Sequence, residues 1–121
     1  MLKEIPIKCT DKNFYRFYVE LLNPIAKLRK KELDVLAQLL YYDNKYKSLE
    51  EKIRYKILFD QDTKLEIREV LNLSEASLNN NLSELRKKKV IKNNQIAKGY
   101  RVTPGKDNKL VFNFMIHADS K

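Results

Sequence analysis

The apolar positions keep a helical spacing over most of the chain and change to a strand spacing near its end. Phe14, Phe17, Tyr18, Leu21 and Leu22 fall at i, i+3, i+4, i+7 and i+8, one face of a helix. Asn23-Pro24 is expected to stop it, since a residue before proline avoids the helical region. An alternating reading, Tyr15 with Phe17 and Val19, leaves a strand open there. Before it, Ile5, Ile7 and Cys9 alternate as in a short extended lead-in. A second helix is expected over about 28–43, burying Leu33, Leu36, Ala37 and Leu40. A third starts at a capping box, Ser48-x-x-Glu51, and faces the core through Ile53, Ile57 and Leu58. A fourth starts at another, Thr63-x-x-Glu66, and ends near Leu71.

Asn72-Leu73-Ser74 then breaks the pattern, and Ser74 is placed to cap a fifth helix from Glu75 to about Lys88. Leu78, Leu82 and Leu85 are its core stripe. Ala76, Asn80, Ser83 and Lys87 lie opposite, with Ser77, Asn79 and Glu84 on the flanks. After Lys89 the period becomes two. Val90-Ile91 opens extended chain, and Tyr100 and Val102 alternate toward Pro104-Gly105-Lys106-Asp107-Asn108, a turn signal. Leu110, Phe112, Phe114 and Ile116 alternate as a half-buried strand. The expected fold class is mainly α with a C-terminal β-hairpin.

With 121 residues, 43% of them apolar, the chain suits one domain, and no repeat or linker divides it. Its only glycines, Gly99 and Gly105, cannot make a phosphate-cradling loop, which needs several close together. One cysteine, Cys9, excludes an intrachain disulfide, and one histidine, His117, excludes a histidine pair for zinc. Cys9 reads as a small buried or terminal thiol. Asp60 and Asp62 flank Gln61 as in a loop, without a ligand set. No cofactor and no metal is expected. No apolar run reaches the roughly 18 residues of a membrane span. The first residues lack a signal-peptide pattern, so the expectation is a cytoplasmic protein that avoids membranes. The sequons at Asn72 and Asn81 are then accidental.

Charge adds a direction. The net charge is +9, and nine basic residues between Arg86 and Lys109 face one acid, Asp107. Such clustering is a footprint for a polyanion. A lysine- and asparagine-rich composition can by itself reflect an AT-rich genome, such as that of a phage or mobile element. Cations at a helix C-terminus also complement its dipole. The clustering, rather than the total, carries the functional reading. Tyr41, Tyr42, Tyr46 and Tyr55 read as packing residues rather than a stacking platform.

The stretch from Thr63 to Ile91, TKLEIREVLNLSEASLNNNLSELRKKKVI, resembles the winged helix-turn-helix superfamily, whose members include small transcription regulators and plasmid or phage replication initiators. By layout the resemblance extends over 31–116. It implies a single domain with an N-terminal extension (1–30, helix or strand), a helical core (31–89, with the helix-turn-helix at 63–89) and a β-wing (90–117). The chain departs from the family at Asn72 and Lys89, where glycine is common. It departs also at Arg68, where a small residue is common, and at Asn81, where alanine is.

The resemblance implies a double-stranded DNA-binding protein whose fifth helix enters the major groove. Ser74, Ala76, Ser77, Asn79, Asn80 and Ser83 would meet base edges, an asparagine amide being able to pair with adenine. Arg86, Lys87 and Lys88 would lie near phosphates. Lys98, Arg101, Lys106 and Lys109 on the wing would approach the backbone or minor groove. A homodimer through Phe14, Phe17, Tyr18, Leu21 and Leu22 would present two such helices. The alternative is a structural or protein-interaction subunit on the same scaffold. RNA binding is weaker, because the common aromatic motifs are missing. No enzyme is expected, since no nucleophile–base pair or carboxylate pair stands out.

Overall fold

The computed structural model describes residues 11–100. Five helices fill most of this range: α1 (Asp11–Ala26), α2 (Lys30–Lys45), α3 (Glu51–Leu58), α4 (Gln61–Leu71) and α5 (Glu75–Lys87). A two-stranded antiparallel hairpin follows, β1 (Ile91–Lys92) with β2 (Gln95–Ile96), and then a 3-10 turn, Lys98–Tyr100. Buried apolar residues from α1 to β2 form one cluster.

The centre of that cluster is α2, which packs against each of the other four helices. Leu33, Leu36, Ala37 and Leu40 are buried as the spacing predicts. So are Val35, Leu39 and Tyr42, together with Glu32 and Asp43. A helix surrounded on most sides has no broad polar face, so a stripe derived from amphipathicity underestimates it. Two of its acids are matched from outside. Arg54 Nε lies 3.2 Å from Asp43 Oδ1, and the Lys88 ammonium pairs with Glu32.

The first segment is a helix, and it runs past the expected stop. The Asn23 carbonyl accepts from Lys27 N–H and the Asn23 side chain from Leu28 N–H, both at 2.7 Å. Lys27 takes a left-handed conformation (φ 54°) that ends α1 after Ala26. Proline in this last turn removes one hydrogen bond without preventing closure. The buried face of α1 is Tyr15, Tyr18 and Val19, rotated from the expected one, while Phe17 and Leu21 are exposed. In that rotation Arg16 bonds Asp34 of α2 at 2.6 Å.

Two helix starts also differ from expectation. α3 begins after Glu50 with no side-chain cap, so the Ser48 capping box does not form. Its buried residues are Arg54, Tyr55 and Leu58, whereas Ile53 is exposed and Ile57 half-buried. α4 begins two residues before Thr63, because the Asp60 carboxylate accepts from Thr63 N–H at 2.8 Å. Thr63 is then buried and donates its hydroxyl to the Ile57 carbonyl at 2.7 Å. The carboxylate out-competes the threonine hydroxyl as the cap.

The connection from α4 to α5 is short and tied at both ends. Asn72 is left-handed (φ 55°, ψ 49°), and the N–H groups of Asn72 and Leu73 both reach the Arg68 carbonyl. Arg68 Nε returns a bond of 3.4 Å to the Leu73 carbonyl. The long side chain in place of a small one therefore clamps the turn. Ser74 caps α5 by accepting from Ser77 N–H at 3.1 Å. At the other end, Lys89 N–H reaches the Arg86 carbonyl and Val90 N–H the Leu85 carbonyl, a Schellman pair. This holds Lys89 at φ 63°.

A left-handed lysine costs about 1 kcal/mol relative to glycine. Lys89→Gly is therefore expected to stabilise the chain by about 1 kcal/mol in urea unfolding. Unchanged or lower stability contradicts the assigned backbone.

The hairpin arises at Asn93-Asn94, both with positive φ (53° and 55°), the pattern of a two-residue type I′ turn. Ile91 pairs with Ile96 and Lys92 with Gln95. Val90, Ile91 and Ile96 are buried, which seats the hairpin on α5. The extended chain expected toward Val102 is thus cut short, and Tyr100 belongs to a 3-10 turn instead. The turn at Pro104–Asn108, the strand 110–116, Cys9, His117 and residues 1–10 lie outside the described residues. Among the described residues no helix is long and apolar enough to cross a membrane.

Candidate nucleic-acid interface

Leu78, Leu82 and Leu85 fix the rotation of α5, being at most 2% exposed. Its opposite side is consequently open. Ala76, Asn79, Asn80, Ser83, Arg86 and Lys87 are all exposed. A rise of about 1.5 Å per residue makes the stripe from Ala76 to Ser83 about 10 Å long. The Asn79 and Asn80 amides have no hydrogen-bond partner among the described residues, so both their donors and acceptors face solvent.

Three other expected site residues are partly committed to the fold. Ser74, though exposed, uses its hydroxyl oxygen as the cap. Ser77 is half-buried, and its carbonyl accepts from the Asn81 side chain at 2.8 Å. Lys88 corrects the sequence reading. Its chain turns inward and its ammonium meets Glu32, a carboxylate only 1% exposed. Glu32 also accepts from Arg29 N–H at 3.1 Å, so one buried acid holds the start of α2 and the end of α5 together. Lys88 is therefore a structural cation.

The hairpin supplies residues that the sequence pattern did not single out. Lys92, Asn93, Asn94 and Gln95 are all exposed beyond the buried Ile91–Ile96 pair. Their one local signal in the sequence is the Asn-Asn pair between two isoleucines. Lys89 is a second addition, exposed because the left-handed bend turns the chain there. Lys98 is exposed on the 3-10 turn. Arg101, Lys106 and Lys109 lie outside the described residues. From Arg86 to Lys98 there are six basic residues and no acid, and five are exposed: Arg86, Lys87, Lys89, Lys92 and Lys98. Glu84 reaches Lys87 at 3.3 Å, but this pair is solvated and holds Lys87 only weakly.

The proposed dimer face on α1 is smaller than its spacing suggests. Tyr18 is 6% exposed and belongs to the core, and Phe14 and Leu22 are half-buried against it. Only Phe17 and Leu21 of the five are well exposed.

A groove of about 270 Å³ between α2 and α4 is lined by Gln38, Tyr41, Tyr42, Lys45, Glu66, Glu69 and Val70. Tyr42 donates to Glu66 Oε2 at 2.6 Å, and Lys45 Nζ lies 5.5 Å from the Tyr46 ring centre. Burial, then the bond to Glu66, raises the Tyr42 phenol well above its ordinary pKa, so it stays protonated. Tyr42 is thus a packing and hydrogen-bonding group, with the Tyr41 ring edge-on to it and the Tyr46 ring stacked on it. Among the described residues no group of three acidic, cysteine or histidine side chains could hold a metal. No protein-family model matches the chain, and no curated protein or solved structure matches it.

Proposed function

We propose that the protein binds double-stranded DNA as a winged helix-turn-helix domain, with α5 in the major groove and the Lys92–Gln95 tip beside it. One observation carries the reading: the polar side of α5, Ala76 to Lys87, is free of the rest of the described chain and continues into a basic segment. The short tied turn between α4 and α5 supports it, since such a turn holds a recognition helix at a fixed angle to its support. The resemblance to winged helix-turn-helix proteins adds a role in transcription control or replication initiation to this proposal.

The test places a charge in the middle of the face. Ala76→Glu leaves the core untouched and puts an acid in the first turn, where the helix dipole tolerates it. Fluorescence anisotropy with a labelled duplex is expected to show micromolar binding at moderate salt for the wild type. The variant is expected to lose at least tenfold. Equal affinity of the two proteins, or no binding by either, overturns the proposal.

A second reading, a protein-interaction subunit, rests on Phe17 and Leu21, exposed to 42% and 46% one turn apart on α1. Two exposed apolar side chains are ordinary on a monomer. Light scattering separates this reading: a dimer that Phe17→Ser with Leu21→Ser dissolves favours it.

A further inference from the structure

We infer that the base pairs read by α5 are A·T pairs, an inference that rests on the DNA-binding reading above and adds its target class. The face that would meet base edges carries Ala76, Asn79, Asn80 and Ser83, all exposed. In the major groove, adenine offers the N7 acceptor and the N6 amino donor side by side. An asparagine amide matches both with its NH₂ and its carbonyl. Thymine offers its C5 methyl, against which a small apolar side chain such as Ala76 packs.

Guanine is best read by arginine or lysine, and the cations of α5 sit elsewhere. Arg86 and Lys87 are in the last turn and Lys88 is held by Glu32. Cytosine is read by an acid. Glu75 stands about 140° around the helix from Asn80, and Glu84 is drawn to Lys87.

The structure also gives the three adjacent asparagines different tasks. Asn81 is half-buried and spends its NH₂ on the Ser77 carbonyl, so it is removed from readout. Asn79 and Asn80 keep their amides, and they diverge by about 100° around the helix, so they address different bases. The 10 Å stripe covers about three base-pair steps of roughly 3.4 Å. The expected core is therefore three or four A·T pairs with at least one adenine contacted through N7.

The experiment selects the wild-type protein against a duplex library with eight randomised central pairs, then modifies the enriched site. An A·T core is expected. Replacing a core adenine with 7-deazaadenine, which lacks the N7 acceptor, should weaken binding about tenfold. Asn80→Ala or Asn79→Ala should abolish the sensitivity at one position each. A G·C core, no enrichment despite duplex binding, or an A·T core indifferent to 7-deazaadenine each overturns this inference while leaving DNA binding in place. No duplex binding at all overturns the reading beneath it.

Discussion

Raising monovalent salt from about 50 to about 200 mM is expected to weaken duplex binding about 500-fold. The expectation comes from counting cations. Arg86, Lys87, Lys89, Lys92 and Lys98 are exposed on one continuous segment with no acid in it. If each neutralises one phosphate, log affinity falls with log salt at a slope near −4.5, because each contact releases about 0.9 of a condensed counterion. A fourfold rise in salt then costs about 500-fold. Replacing Arg86 and Lys92 together with glutamine leaves three contacts and a slope of about −2.7. Such changes should act alike on every sequence, since phosphate contacts position a protein without reading bases. A slope near zero in the wild type removes the electrostatic part of the account. An unchanged slope in the double variant moves it to other residues.

The second large effect is on stability. Lys88→Met is expected to destabilise the fold by about 3 kcal/mol, read as a lowered urea midpoint with little change in slope. The reason is the burial of its partner. Glu32 is 1% exposed, and without the ammonium its carboxylate keeps only the Arg29 N–H. An uncompensated buried charge costs far more than a solvated ion pair gains. Combining Lys88→Met with Glu32→Leu should recover most of the loss, less about 1 kcal/mol for the helix-start bond that Glu32 makes. At temperatures where both proteins are folded, duplex affinity should change by less than about twofold, since Lys88 faces inward. A stable Lys88→Met protein with weakened DNA binding would return Lys88 to the surface role that its neighbours have.

That contrast shows what sequence can and cannot carry. The core of α5 was legible because Leu78, Leu82 and Leu85 fall on one helical stripe and nothing competes with it. Ser74 was legible because its cap is local, within three residues of its partner. Asn72 was legible for a similar reason: it stands alone at a break and tolerates the left-handed conformation. Lys88 was not, because its partner is 56 positions away while its sequence neighbours are cations. Thr63 failed as a cap because Asp60, three residues earlier, is the stronger acceptor and shifts the helix start. The buried face of α1 is not set by its spacing alone, because Tyr15, Phe17 and Tyr18 are all aromatic and two adjacent faces compete for burial; the face that packs on α2 is the one that also brings Arg16 to Asp34. For the hairpin, two short strands of two residues each leave almost no period to detect. Asn93-Asn94 alone marked it.

The claim on which everything rests is that the outward side of α5 is the surface that meets DNA. Amide chemical-shift mapping of the labelled protein, titrated with duplex, tests it residue by residue. The account predicts the largest shifts at Ala76, Asn79, Asn80, Ser83 and Lys87 and at the Lys92–Gln95 tip, with Leu33–Leu40 of α2 unmoved. Shifts concentrated at Phe17 and Leu21 of α1, with α5 silent, would contradict it.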